Sequence, residues 1–209
     1  MDDALRVREF WFGRLTTSRP APTEIDRRME LWFGGESPEQ QEKQDATIAE
    51  QFSHLVERAA KGTLNSWADS PRRRLSLIIL LDQFPRNIFR GQARAFAQDQ
   101  QALELALSGM QSGADGALSA LERMFFYMPL QHSESLEVQE ESVAAYRRLV
   151  TEAADELRGV CQGALESAQA HRDVIRRFGR FPSRNGALGR ETTPDERAYL
   201  EGGGERFGQ

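Results

Sequence analysis

Thr47-Ile48-Ala49-Glu50-Gln51-Phe52-Ser53-His54-Leu55-Val56-Glu57-Arg58-Ala59 decides the class of fold. Its apolar residues Ile48, Phe52, Leu55, Val56 and Ala59 stand at i, i+4, i+7, i+8 and i+11, which is one stripe of an α-helix. Ser37-Pro38 upstream is a start signal: a capping hydroxyl followed by a proline whose missing N–H does no harm there. Gly62 stops the pattern.

Similar signals recur in both directions. Ala4 to Phe12 reads as a helix stopped by Gly13, and Thr23 is placed to cap a second helix that Gly34-Gly35 ends. Ser70-Pro71 repeats the start signal. That helix is expected to end near Gln83, because Pro85 disfavours helical geometry at Phe84. Arg86 to Arg94 reads as a turn-rich connection, Gln98 to Met110 as a helix, and Ala117 to Met128 as a helix that Pro129 stops. Ser133 is a candidate cap for a long helix that breaks at Gly159 and Gly163, resumes through His171 and Phe178, and ends at Gly179. Thr193-Pro194 opens a last short helix. No window alternates with β-branched enrichment. The expectation is an all-α fold of antiparallel helix pairs, a single domain over 1–201, and a disordered tail over 202–209.

The net charge of −5 gives no general attraction to phosphate backbones, so no nucleic-acid partner is expected. Cys161 stands alone, which excludes an internal disulfide, and Met1-Asp2-Asp3 is acidic where a leader would be basic. Leu75 to Leu81 is far shorter than the roughly twenty residues that cross a bilayer. These features together predict a cytoplasmic protein without a membrane partner. They leave the oligomeric state open.

Three segments set polar residues beside strongly apolar ones: 80–91, 125–134 and 171–185. Partly buried polar side chains need partners, and converging segments would supply them to each other or to a ligand. From Arg172 to Arg190 there are six arginines and one acid, Asp173. Arginine suits bidentate recognition of carboxylate or phosphate. An anion pocket would draw on Arg177, Arg180 and Arg184. Gln83, Arg86, Asn87, Tyr127 and Asn185 would add further donors. Equally, these arginines can neutralise Glu134, Glu137, Glu140 and Glu141.

His132 and His171 are candidate acid–base groups, with Asp82 or Glu134 to orient them. His171 falls on an apolar stripe, where a hydrogen-bonded core histidine is the plainer reading. Asp82 and Arg86 stand four apart, but Pro85 makes a helical pairing doubtful. No metal-ligand spacing, phosphate-cradling glycine loop, nucleophile elbow or cofactor motif is present.

The runs Asp82-Gln83-Phe84-Pro85-Arg86-Asn87-Ile88-Phe89-Arg90-Gly91, Phe126-Tyr127-Met128-Pro129-Leu130, His132-Ser133-Glu134, and His171-Arg172-Asp173 through Phe181-Pro182 carry a resemblance. So do Phe10-Trp11-Phe12-Gly13, Arg184-Asn185, Leu188-Gly189-Arg190 and Thr193-Pro194. They resemble an uncharacterised bacterial family, domain of unknown function 924, over nearly the whole chain. Gly186-Ala187 departs from it, where a larger apolar residue is expected. The resemblance implies stacked helix pairs similar to tetratricopeptide-repeat proteins, and it implies no activity.

Three functions are therefore weighed. The first is a binding protein for a small anionic molecule or a peptide carboxylate. The second is an acid–base hydrolase or lyase using the same pocket. The third is an interaction module with a concave helical face.

Overall fold

The computed structural model describes residues 2–13, 22–33 and 37–207. Among these the chain is helical and has no strand. The α-helices are α1 (Asp3–Phe12), α2 (Pro22–Phe33), α3 (Pro38–Ala60), α4 (Pro71–Ile78), α5 (Phe84–Ile88) and α6 (Asp99–Gln111). They continue with α7 (Ala120–Phe126), α8 (Met128–Gln131), α9 (Leu136–Glu152), α10 (Asp155–Phe178) and α11 (Pro194–Glu201). The expected stop at Gly34-Gly35 lies outside the described residues.

Local chemistry fixes most ends. Ser37 and Thr193 each form a reciprocal capping box, with Gln40 and Glu196 respectively. Gly179 ends α10 in the left-handed conformation, at φ 70°. The long stripe of α3 is buried as expected: Ile48, Phe52, Leu55, Val56 and Ala59 all lie in the core.

Several expected boundaries move. Pro85 does not end its helix. Instead residues Ile79–Gln83 form a π turn, in which the Phe84 N–H donates to the Ile79 carbonyl five residues back, and α5 follows directly. The wider turn absorbs an extra residue ahead of a proline whose ring would clash in an undisturbed α-helix. Helix α7 likewise ends at Phe126, ahead of the expected Met128, and Pro129 lies in the first turn of α8. Helix α7 starts at a Ser119–Glu122 capping box, later than expected. Ser135, not Ser133, caps α9. Gly159 and Gly163 do not break α10; the chain breaks earlier, between α9 and α10 at Ala153. Packing of α10 on α9 overrides the modest helix cost of two glycines.

Of the expected tail, residues 202–207 are described, and residues 208–209 lie outside the described residues. Residues 202–207 fold back on the body: the Gly204 N–H donates to the Tyr199 carbonyl at 2.9 Å, and the Phe207 ring stacks on His171. The sequence hides this because three glycines mask a single anchoring aromatic.

An aromatic cluster holds the π turn in place. The Phe84 ring lies 5.5 Å from Trp11 of α1 and 4.9 Å from Phe52 of α3, and Trp11 lies 5.5 Å from Phe125 of α7. Four elements thus meet around Asp82 and Gln83. The two edge-to-face pairs, Trp11 with Phe84 and Trp11 with Phe125, add about 0.5–1.5 kcal/mol each beyond their buried area.

Candidate functional site: a buried carboxylate–histidine pair

The π turn aims two consecutive polar side chains inward. Asp82 is fully buried, and its Oδ1 lies 2.7 Å from Nδ1 of His132, the residue that follows α8. Gln83 Nε2 donates to the other carboxylate oxygen. Arg86, one turn on, donates to the Asp82 carbonyl at 2.7 Å and lies 3.4 Å from its carboxylate, so the two residues pair despite Pro85. The Arg86 fork also engages both oxygens of Asp99 at 2.9 Å. Arg184 reaches the same Asp99 at 3.2 Å.

These charges balance: Asp82 and Asp99 against Arg86 and Arg184. Burial opposes ionisation of Asp82. The neighbouring His132 and Arg86 charges and the hydrogen bonds from His132 and Gln83 outweigh it, holding the carboxyl below the ordinary carboxylate range. Burial, helped by Arg86, pushes His132 below its ordinary value although Asp82 pulls the other way. His132 is therefore a neutral imidazole at neutral pH. Its Nδ1–H points at a carboxylate, which leaves Nε2 as the acceptor.

His171 lies beside it, with ring centroids 6.1 Å apart. Its Nδ1 is 2.8 Å from the Ser167 carbonyl, which can only accept, so Nδ1 carries the proton and Nε2 is again the acceptor. Burial, followed by the charges of His132, Arg184 and Arg86, pushes His171 down to about 3.

Both rings line a cavity of about 340 Å³. Trp32, Phe33, Met128 and Phe207 supply its apolar wall, and Gln83, Arg86, Asn87, Arg90 and Gln131 its polar wall. Asp45 of α3 organises the rim. It accepts from Asn87 at 2.9 Å, from Gln41 at 3.1 Å and from Arg90 at 2.8 Å.

The other candidates lie elsewhere. Arg177 is exposed and stacks on Phe178 and Tyr199. Arg180 pairs with Glu196 at 2.6 Å. Asn185 donates to Glu196 and Thr192 and accepts from Arg190. Glu134 takes the Arg190 fork and the Phe181 N–H, so it orients neither histidine. Tyr127 donates to Asp115 at 2.5 Å and accepts from Arg123. The basic third segment is thus largely spent on knitting the C-terminal part to α9 and α11. Arg184 remains next to the site, but as the partner of Asp99. Asp45, Asp99, Gln131, Ser167 and Phe207 were not candidates. Gln131 stands in the segment 125–134, beside the more conspicuous His132; each of the others is a lone polar or aromatic residue on an ordinary helix or tail, with no local pattern to mark it.

Among the described residues no group of three or more His, Cys, Asp or Glu side chains is arranged to hold a metal ion. No helix among them is long and apolar enough to cross a membrane.

An all-α chain with a buried carboxylate–histidine pair on a π turn is the class that fold and site define. The model of the family described as bacterial protein of unknown function (DUF924) matches residues 7–204, and the chain belongs to that family. It is similar to the solved structure of a protein of unknown function, ATU0120, from Agrobacterium tumefaciens. The two are 34% identical over 95% of this chain and 97% of that one, with a TM-score of 0.75. No curated protein matches.

Proposed function

We propose that the protein is an acid–base enzyme acting on a small molecule, with His132 as general base. The observation that carries this reading is the Asp82 carboxylate, fully buried and 2.7 Å from the Nδ1 of a histidine that lines a cavity. A carboxylate on Nδ1 fixes the tautomer that exposes a basic Nε2, and it stabilises the imidazolium that forms when Nε2 takes a proton. A general base so placed contributes about 10²–10⁴-fold.

Hydrolysis is the reaction that best matches the wall. Ser167 Oγ donates to Gln131 and faces the protonated nitrogen of His171, so no base activates it. Burial pushes the Cys161 thiol up, away from the thiolate form. Water is then the nucleophile. His132 Nε2 takes its proton while oxygen attacks an ester or amide carbonyl. The proton then passes to the leaving group. Asn87 and Arg90, held by Asp45, line the polar wall on which charge would develop at the carbonyl oxygen.

The alternative reading, an anion-binding protein, keeps Gln83, Arg86 and Asn87 in the cavity wall, whereas Arg177 and Arg180 are committed outside it. The test is a screen of esters, amides and lactones with wild type and His132→Gln. Turnover that falls at least a hundredfold in a folded His132→Gln supports the reading. The acid limb of kcat/KM should lie below pH 6.5, because His132 is depressed from that value. Undiminished turnover in the variant sinks it.

A further inference from the structure

The His132 cavity does not end at its apolar wall. A second hollow of about 520 Å³ adjoins it, between α2 and α10. Phe33, Met128, Gln131 and Ser167 line both. The hollow is a trough of different character. Ile25 and Met29 form one side, Met124 and Met128 the other, and Gly159 and Gly163 the floor.

The floor explains the two glycines that fail to break α10. Gly159, Gly163 and Ser167 recur every fourth residue, so they share one face of the helix. A Cβ added at Gly159 or Gly163 would meet nothing within 4 Å. Both glycines are exposed, so the missing side chains serve no close helix packing and leave this face of α10 open. Methionine on the opposite wall is the side chain best able to adapt to a chain of variable shape. Phe33, at the junction of the two hollows, is 57% exposed. A large aromatic left exposed beside an apolar trough is the unusual observation on this surface.

We propose that the substrate is amphipathic, an acyl ester or amide whose scissile carbonyl sits at His132 and whose straight alkyl chain lies in the trough over Gly159 and Gly163. The stretch from Gly159 to Ser167 spans about 12 Å at 1.5 Å per residue, the reach of a medium-length chain. The polar compartment takes the head and the apolar one the tail, and Phe33 is passed by both. This assignment rests on the hydrolytic reading of the same site, but chain binding is measurable without turnover.

The experiment is calorimetric titration with straight-chain carboxylates from butanoate to decanoate, the products of such a hydrolysis. Affinity should rise about fourfold per methylene as each carbon leaves water, until the trough is full. Gly163→Leu, and independently Gly159→Leu, should flatten that rise. Both replace a helical glycine where a side chain has room, so both variants should fold. Affinity that ignores chain length, or a rise that survives both variants, overturns the proposal.

The p-nitrophenyl esters of the same acids separate the two readings. Chain-length-dependent binding with turnover indifferent to His132→Gln keeps the trough and removes the general base. Turnover dependent on His132 with no preference in kcat/KM for longer chains does the reverse.

Discussion

Asp82 and His132, fifty positions apart in the chain, meet at 2.7 Å in the interior. A buried carboxylate without partners is costly, and this one is surrounded by donors: His132, Gln83 and Arg86. The same contacts that stabilise the charge also orient the imidazole.

Asp82→Asn removes the charge but keeps the shape. It leaves Asp99 as the one carboxylate on Arg86, and it offers a single acceptor oxygen where His132 Nδ1–H and Gln83 Nε2 each had their own, so the His132 tautomer is no longer fixed. Breaking a buried pair from one side costs about 3–5 kcal/mol, and the lower end is expected here because Asp99 remains. Urea denaturation at neutral pH measures the loss. The tautomer is read by ¹⁵N shifts of His132, which should move from a protonated Nδ1 toward a mixture. An unaltered tautomer would mean that Asp82 does not orient the ring.

How much of this was legible in the sequence depends on the range of the interaction. Capping boxes, the α3 stripe and Gly179 are local, so Ser37, Ile48 to Ala59 and Thr193 declared themselves. The three polar segments were visible as anomalies, since Asp82, His132 and His171 stand in apolar surroundings. The division of labour among the arginines was not visible. Arg180 and Arg184 are four residues apart and alike in composition, yet one pairs with Glu196 and the other with Asp99. Only the tertiary fold distinguishes them. The π turn was hidden for a different reason: Pro85 argues for a helix end on local rules, and the aromatic contacts of Phe84 override it.

His171 gives a pH signature. It is held neutral in the folded state down to about 3, against an ordinary value of 6.5. Below pH 6.5 the unfolded chain binds a proton that the folded chain refuses, so stability falls as pH falls toward 3. One such proton contributes a slope of up to about 1.4 kcal/mol per pH unit. Denaturation of wild type and His171→Gln at pH 7, 6 and 5 should show the wild-type advantage shrinking with acidity. Parallel pH dependences would show that His171 titrates normally.

Gly109 of α6 is a point of close approach. A Cβ there would lie 2.5 Å from Cζ of the buried Phe126 ring and 2.9 Å from Cδ of Arg74. Arg74 is itself held by the Ala68 and Leu105 carbonyls. Alanine favours a helix by about 1 kcal/mol over glycine, whereas overpacking costs about 1–3 kcal/mol. Neither neighbour can withdraw freely, so Gly109→Ala should destabilise, by about 1 kcal/mol net. A stabilised variant would mean that α6 slides away from α7 without cost.

Phe207 closes the site from the C-terminal side. Its ring centroid lies 3.6 Å from that of His171, and its backbone holds a left-handed φ of 51°, which a non-glycine residue adopts only against some strain. The stack on His171 and the edge contact with Phe181 at 5.7 Å hold it there. Removing the ring should cost about 1 kcal/mol and admit water to His171. Hydration favours the charged imidazole, so the His171 pKa should climb from about 3 toward its ordinary value. An NMR titration of the His171 Hε1 resonance in wild type and Phe207→Ala reads the change. If the two titrations coincide, desolvation of His171 comes from the helical body alone, and residues 202–207 are not part of the wall of the site.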